Sequence, residues 1–563
     1  MDDVDAVQAQ IARNMLMSGD WTIARLDGVS YLEKSPLIYW LMACSFRIFG
    51  THDWAARIPV ALAGIFLAWL TYRYGRWACG ERTGFYAGLA LSTCVGLFLF
   101  TRIQIPDVML TACVCGSFLA FQRATEEDEQ LPRRWAMLLG LCLGLGLLLK
   151  GLIAVVIPVG GILTYLLITR QLFSRTIWRR LHIGSATLIA LAIAAPWHIL
   201  ATLRMPPYFD FTMHSASGEY HGFFWFYFMN EHVLRFLNLR YPRDYNTVPR
   251  AAFWLLHFVW LFPWSVYLPA AARLSYKSEN RAGRTRLLAL CWAGFVLLFF
   301  TFSTTQEYYS MPIYPALALL IGGAMAEETQ WTKVGTRMLG AICALAVVSI
   351  LLILIHVRTM AVRGDISQAL QQHPEAYTLS LGHMGDLTLD SFAYLKLPLL
   401  LAGVAFFIGA ISAWTVRSRR VYLAIALMMV LFIHAARLAL VVFDPYLSSR
   451  PLAEALLRAP HGQLILNGEY YAFSSVFFYT NRDALLWNGR ANNLEYGSYA
   501  PGSPNVFIDD QQFLALWFKP GNCYVLSDGD GIKRLQAMVI PNHLYLVAKS
   551  GGKTLYSNNR NPI

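Results

Sequence analysis

The ionisable residues of this chain are few, and the informative ones fall in small groups beside apolar or aromatic sequence. Asp2, Asp3 and Asp5 open the chain. Asp3 or Asp5 has the chemistry of a general base that takes a proton from an acceptor hydroxyl. Asp5 also precedes the helix-like stretch Ala6 to Leu16 and suits its N-cap equally well. Asp107 follows Ile105-Pro106 at the mouth of an apolar run, where an N-cap and a catalytic role are compatible. Lys34, Lys150 and Arg235 are cations that call for an anion. A lipid phosphate fits them best, Arg offering a planar fork and Lys a point charge, with snorkelling to headgroups as the competing use. Tyr308-Tyr309, just before Ser310-Met311-Pro312, either anchors an interface or brings a hydroxyl to a phosphate oxygen. In Asn230-Glu231-His232 the acid and the imidazole could join Glu33 on a divalent metal ion, the one cofactor the residues suggest; ligands scattered over separate loops make a weak zinc pattern. His214 and His221 lie nearby without a motif.

The elements that must position these groups are membrane helices. The chain of 563 residues is 56% hydrophobic and only 14% charged, with a positive mean hydropathy. A soluble domain is about one quarter charged. The formal charge of +12 would suggest nucleic acid in a soluble protein, but most of the Lys and Arg occupy short loops between apolar runs and report topology instead. Nucleic acid is therefore excluded as a partner. Most of the nine cysteines sit inside apolar runs as small buried hydrophobes, and Cys113-Val114-Cys115 has the wrong spacing for a zinc knuckle. No apolar span precedes the acidic cluster, so an additional N-terminal helix is expected ahead of it if those acids face outward.

A spanning helix needs roughly 20 mostly apolar residues. That rule gives about twelve spans, near 54–74, 83–101, 106–123, 135–149, 151–168, 183–202, 250–271, 286–304, 309–325, 336–356, 394–416 and 421–443. The 36–50 run is shorter and reads as a re-entrant or interfacial helix. With residues 1–53 placed outside, the alternate loops are rich in Arg and Lys, as cytoplasmic loops are. The outer loops then carry every group named above. Residues 444–563 change character: strands are expected at 463–466, 484–487, 505–508, 523–526 and 545–548, and helices at 451–458, 474–479 and 510–518. Asp528-Gly529-Asp530-Gly531 reads as a turn, since the rest of a calcium loop is missing. The expected architecture is mainly α: a polytopic membrane bundle over 1–443 that carries catalysis, and a small soluble α/β domain over 444–563 on the outer side.

Several of these stretches resemble the GT-C polyprenyl-phosphate-sugar glycosyltransferases, specifically the lipid A aminoarabinose transferase branch, related to the protein O-mannosyltransferases. The resemblance runs through Ile11-Ala12-Arg13-Asn14-Met15-Leu16, Ser18-Gly19-Asp20-Trp21 and Tyr31-Leu32-Glu33-Lys34-Ser35-Pro36-Leu37-Ile38-Tyr39-Trp40. Pro106-Asp107, Lys150-Gly151, Glu231-His232-Val233-Leu234-Arg235-Phe236 and Tyr308-Tyr309 follow in the family's order. The resemblance implies about thirteen spans and two juxtamembrane helices in the first outer loop. It also implies a bacterial inner-membrane location and a site facing the periplasm. By the same resemblance an acid of the first loop and Asp107 flank the acceptor, and Tyr31, Lys34, Lys150, Arg235 and Tyr309 surround the phosphate of a polyprenyl-phosphate sugar donor. The reaction implied is direct displacement at the anomeric carbon with inversion. Two departures stand out. Val4 and Asp5 occupy the positions of the family's Asp-Glu pair, leaving Asp3 and Asp5 to compete for one role. Asn230 replaces the first histidine of a His-Glu-His run, removing one metal ligand.

A transporter or flippase would place ionisable residues at mid-span and show inverted repeats; these spans are almost free of charge at their centres. A scaffold that merely displays its tail leaves the crowded first loop unexplained. An enzyme is expected, with lipid A, another glycan or a protein Ser/Thr as acceptor, the last as in a protein O-mannosyltransferase. An acceptor that is already a phosphate would need no general base, and the first-loop acid would then position rather than deprotonate.

Overall fold

The computed structural model describes residues 1–243, 248–303, 306–371, 382–416 and 419–560. Among the described residues each expected span contains helix, but they are not all alike. Among the described residues nine helices are long and apolar enough to cross a bilayer, the first Asp53–Cys79 and the last Arg420–Leu447. Ile153–Ile168 is a shorter apolar helix of 16 residues. The expected spans 83–101 and 250–271 are not continuous. Glu81–Ser92 meets Val95–Arg102 at 48°, and Arg250–Trp260 meets Trp264–Ala271 at 97°. Pro263 explains the sharper bend, because it offers no N–H to the helix and its ring clashes with the preceding turn. A broken helix exposes backbone groups that lipid cannot satisfy, and here the two breaks serve each other. The Val95 N–H donates to the Phe262 carbonyl at 3.1 Å, and the Trp264 indole donates to Thr93 Oγ1 at 2.9 Å.

The predicted inner loops gather at one end of the bundle. Arg284 pairs with Glu126 at 2.6 Å, Arg286 with Glu327 at 2.6 Å and Arg419 with Glu328 at 2.9 Å. Arg180 donates to the carbonyls of Ala124, Glu126 and Glu129. The helix Asp107–Thr125 runs from this cluster to the opposite end, where Asp107 is its first residue. Lys150 closes Pro132–Lys150 at that same end.

Two helices lie outside the spans in the N-terminal region, Asp3–Ser18 and the 13-residue Leu37–Phe49. Between them β1 (Arg25–Leu26) and β2 (Val29–Ser30) form a hairpin. Its turn residues Asp27 (φ 49°) and Gly28 (φ 76°) both take the left-handed conformation that two-residue hairpin turns require. Residues 205–243 form the longest irregular segment described, and within it Trp225–Leu234 is a π-helix. Wide helical turns of this kind recur at functional sites.

The tail carries β3 (Gln463–Asn467), β4 (Leu485–Trp487), β5 (Phe507–Ile508), β6 (Cys523–Asp528), β7 (Tyr545–Ser550) and β8 (Lys553–Ser557). They form one sheet in the order β5-β4-β3-β6-β8-β7, parallel as far as β6 and antiparallel beyond it. The last strand, β8, has no counterpart in the sequence reading. The last membrane helix runs on to Leu447, past the expected end at 443. Asp528–Gly531 is not a free turn either: Asp528 precedes the helix Gly529–Met538 and Asp530 lies in its first turn, where an acid favours the helix dipole.

The tail is bound tightly to the first loop. Gln10 donates to the Ser474 carbonyl at 2.7 Å and Arg13 to that of Phe478 at 2.9 Å. The helix Asn492–Ser498, also unread in the sequence, touches both outer segments. Its Gly497 packs on the Ser30 carbonyl so closely that a Cβ would lie 1.8 Å from that oxygen. Its Tyr496 ring stacks on Phe226 of the π-helix with centroids 4.1 Å apart.

Candidate active site

A cavity of about 390 Å³ opens at the end of the bundle that holds Asp107 and Lys150. Its polar wall comes from four distant parts of the chain: Glu33, Lys34 and Ser35; Asp107; Lys150; and Glu231, His232 and Arg235, with Tyr309 beside them. Its apolar wall comes from Ile153, Val156 and Ile157 on one helix and from Phe299 and Phe300 at the end of another.

The Tyr31–Pro36 segment leaves the β1–β2 hairpin and is fixed against the bundle by Ser35. Its hydroxyl donates to the Leu147 carbonyl at 3.2 Å and shares a short hydrogen bond with the Tyr227 hydroxyl. This places Glu33 and Lys34 at the cavity. Lys34 Nζ lies 2.5 Å from Glu33 Oε1. Burial pushes the Glu33 carboxyl up, but Lys34, then Arg240 and Arg235, outweigh it and hold it at about 2. Asp107 is 1% exposed. Lys150 Nζ donates to its Oδ1 at 2.6 Å, whereas its Oδ2 is buried with no hydrogen-bond partner among the described residues. The ammonium of Lys150 also lies over the rings of Tyr309 and Tyr308, 4.7 and 5.0 Å from their centroids, a favourable cation–π arrangement.

Gly151 explains the Lys-Gly pair. It has φ +67°, and a Cβ there would lie 2.2 Å from His232 Nε2. The tight turn lets His232 Nε2 accept from the Leu152 N–H at 3.0 Å, while Nδ1 donates to the Tyr227 carbonyl. Both ring nitrogens are committed to backbone, and burial drives the imidazole down to about 4. On the next turn Arg235 Nη1 donates to Glu231 Oε2 at 2.7 Å.

These contacts bear on the expected metal ligands Glu33, Glu231 and His232. Among the described residues no group of three His, Cys, Asp or Glu side chains is arranged to hold a metal ion. Glu33 and Glu231 are neutralised by Lys34, Arg235 and Arg240, and His232 has spent its lone pair on Leu152. The donor set does not fit a metal, and no step is assigned to one.

The two first-loop acids are also placed differently from the expectation, since neither lines the cavity. Asp3 accepts from the Ser475 N–H and hydroxyl, from Ser449 and from Lys553 Nζ, which fastens the first helix to the tail. Asp5 accepts from Arg57 at 2.6 Å and from the Gln104 N–H at 2.8 Å, three residues before Asp107. Burial, the largest influence, raises its carboxyl despite Arg57. Tyr31 stands behind the wall, its hydroxyl 3.3 Å from Glu33 Oε2 and 3.3 Å from the Tyr471 hydroxyl. Tyr308 reaches the site through its ring, which lies beneath Lys150. Lys34, Asp107, Lys150, Arg235 and Tyr309 do share the cavity.

Arg240 was missed. It is 9% exposed, its Nε donates to Glu231 Oε1 at 2.6 Å, and its Nη2 lies 3.9 Å from Glu33 Oε2. The available signal was an imbalance: two acids destined for burial had only one neighbouring cation each in sequence, and Arg240 stands nine residues after Glu231.

A bundle of apolar helices whose outer segments gather acids, cations and aromatics round one cavity is the fold this chain shares with a solved ArnT structure. In sequence the chain resembles proteins named as aminoarabinose (4-amino-4-deoxy-L-arabinose) transferases. ArnT from Cupriavidus metallidurans in the apo state aligns with a TM-score of 0.76 at 20% identity, covering 100% of this chain and 94% of that one. The same protein bound to undecaprenyl phosphate aligns with a TM-score of 0.75. The undecaprenyl phosphate-alpha-4-amino-4-deoxy-L-arabinose arabinosyl transferase of Aeromonas salmonicida is 29% identical over 57% of this chain and 55% of its own length. The protein of the same name from Edwardsiella ictaluri is 25% identical over 90% of this chain and 85% of its own. The chain thus spans about half the length of the first curated relatives it matches. Residues 33–200 match the dolichyl-phosphate-mannose-protein mannosyltransferase family.

Proposed function

We propose that this protein is an integral membrane glycosyltransferase that moves a sugar, an aminopentose like that named for its relatives, from undecaprenyl phosphate to a lipid A-type acceptor. The observation that carries the reading is the cavity: three cations from three distant segments meet at one end of a pocket whose other wall is apolar side chains of membrane helices. A polyprenyl phosphate has the same division, an anionic head on a hydrocarbon chain. Lys34 and Arg235 bind the phosphate, with the Tyr309 hydroxyl as a further donor and Lys150 adding positive potential. As the anomeric C–O bond breaks, negative charge grows on the departing phosphate, and cations already in place stabilise it without reorganising. The acceptor attacks from the opposite face, giving inversion. Asp107 Oδ2 is the open acceptor for an incoming hydroxyl; toward an acceptor that is itself an ionised phosphate it serves to orient rather than to deprotonate.

The topology supports a bacterial inner-membrane location with the cavity and the 444–563 domain on the periplasmic side, because the Arg-rich segments gather at the other end of the bundle. The match of residues 33–200 to protein mannosyltransferases favours a second acceptor class, a protein Ser or Thr hydroxyl. Mass spectrometry of lipid A and of envelope glycoproteins from cells with and without the gene separates the two. Loss of an aminopentose from lipid A phosphate is the expected result. Loss of protein-linked sugar instead would favour the second class, and no change in either would reject both.

A further inference from the structure

The two cations assigned to the donor phosphate are both already paired with buried acids. Lys34 holds Glu33 Oε1 at 2.5 Å, and Arg235 holds Glu231 Oε2 at 2.7 Å. To bind a phosphate each must loosen its hold on a carboxylate that is only 8% exposed. An acid stripped of its partner at such a site is strongly unfavourable, so the phosphate would have to outcompete both acids. Arg240 removes the conflict. It does not line the cavity, and it faces the other oxygen of each carboxylate: Glu231 Oε1 at 2.6 Å through Nε and Glu33 Oε2 at 3.9 Å through Nη2. Its Nη1 donates to the Pro242 carbonyl at 2.8 Å, which keeps the guanidinium in that orientation. Every oxygen of the two acids therefore has its own role: one faces a cation that lines the cavity, the other a cation set behind the wall.

We propose that Arg240 is a positioning residue for donor binding, which keeps Glu33 and Glu231 compensated as carboxylates while Lys34 and Arg235 turn to the donor phosphate. The assignment rests on the glycosyltransferase reading above and adds to it a residue that never touches substrate. It predicts an unusual genetic pattern. Removing Arg240 makes the acids compete for Lys34 and Arg235, and removing an acid as well relieves that competition.

The test measures undecaprenyl phosphate binding to the full chain in nanodiscs by calorimetry, with thermal unfolding of each variant alongside. Arg240→Met is expected to bind at least tenfold more weakly than the unmodified protein, Arg240→Lys to fall between them, and the double variant Glu231→Gln/Arg240→Met to recover at least half of the loss. Recovery on neutralising a second charged group is a result that a purely structural role for Arg240 does not give. Unchanged affinity in Arg240→Met overturns the proposal, and so does a double variant that binds no better than the single one. Where Arg240→Met does not fold, the comparison of Arg240→Lys with Glu231→Gln/Arg240→Lys decides by the same criterion. Absence of binding by the unmodified protein would instead count against the function proposed above.

Discussion

Asp107 and Lys150 meet at 2.6 Å in the wall of the cavity, the first residue of one membrane helix against the last residue of another. The pairing uses only one carboxylate oxygen and leaves Oδ2 without a partner among the described residues. The two residues should therefore fail in different ways. Asp107→Asn keeps an oxygen toward Lys150 and should leave undecaprenyl phosphate binding within about threefold, while transfer drops by about ten- to a hundredfold, the scale of one lost hydrogen bond to a charged group that orients the acceptor. Lys150→Met leaves a buried carboxylate unpaired, costing about 3 kcal/mol in a well-buried pair and less here because the lysine side chain is partly exposed. It should weaken both binding and transfer. Equal losses of donor affinity in both variants would show that Asp107 does not act on the acceptor side.

Gly151 makes a sharper structural prediction. Its backbone is left-handed, and the position of a Cβ is taken by the His232 ring. Gly151→Ala should destabilise the protein by about 2–3 kcal/mol, the sum of backbone strain and displacement of a buried ring. It should also reduce transfer, because Lys150 and His232 both move. The thermal unfolding midpoint in detergent reads the first effect, and an unchanged midpoint would mean the loop repacks freely.

Much of the bundle was legible because membrane spans are long, apolar and separated by charge. Arg284, Arg286 and Arg419 lie where the alternation of positive loops puts them. Of the two breaks, the one at Pro263 carried its signal in the proline, whereas the one before Val95 carried none, since Val95 is an ordinary apolar residue whose hydrogen bond to Phe262 appears only in the fold. In the site, the cations announced themselves by being rare. Asp3 and Asp5 carried the same signal and lie outside the cavity, because nothing local distinguishes an acid that meets Ser475 and Lys553, as Asp3 does, or Arg57 and Gln104, as Asp5 does, from one that meets a substrate. The helix at 492–498 was missed because its residues, Asn-Asn-Leu-Glu-Tyr-Gly-Ser, have weak helical propensity and it is held by what it touches.

Asp3 should therefore behave as a stability residue. It accepts from two serine hydroxyls, one backbone N–H and Lys553. Asp3→Ala leaves the Lys553 ammonium without its anion and should lower the unfolding free energy by about 2–4 kcal/mol. Limited proteolysis should then release the tail more readily. Transfer per folded molecule should stay within about twofold of the original, a range below about 0.5 kcal/mol. A hundredfold loss with intact folding would restore Asp3 to the catalytic machinery.

The hairpin tip supplies a pH dependence. Burial, against only one backbone hydrogen bond from Ala484 and with Asp483 near, raises the Asp27 carboxyl from its ordinary 3.8 to about 7. The folded state therefore holds a proton that the unfolded state releases. The stability this gives is fully present below 3.8, declines as pH rises, and is lost once pH passes about 7. The total change is on the order of 4 kcal/mol for one group. Asp27→Asn cannot ionise and keeps an oxygen for Ala484. Its unfolding midpoint should vary less than the original's between pH 4.5 and 7.5 and should be the higher of the two at pH 7.5. Parallel curves for the two proteins would assign the pH dependence elsewhere.

Tyr496 tests whether the tail shapes the site from a distance. Its hydroxyl accepts from the His221 N–H at 2.9 Å and donates to the Gly222 carbonyl at 3.0 Å, and its ring lies against Phe226, five residues before Glu231. Glu495 beside it accepts from the hydroxyls of Tyr241 and Ser217, so one short helix holds the 205–243 segment at both ends. Tyr496→Phe removes two hydrogen bonds to backbone and keeps the stacked ring, costing about 1–2 kcal/mol locally. Because a segment of this kind opens on its own before the bundle does, the loss should appear as faster amide exchange across 217–243 and a three- to tenfold weaker hold on undecaprenyl phosphate. The global unfolding midpoint should barely move. If exchange in that segment is unchanged while donor affinity falls, Tyr496 acts through some route other than the loop it holds.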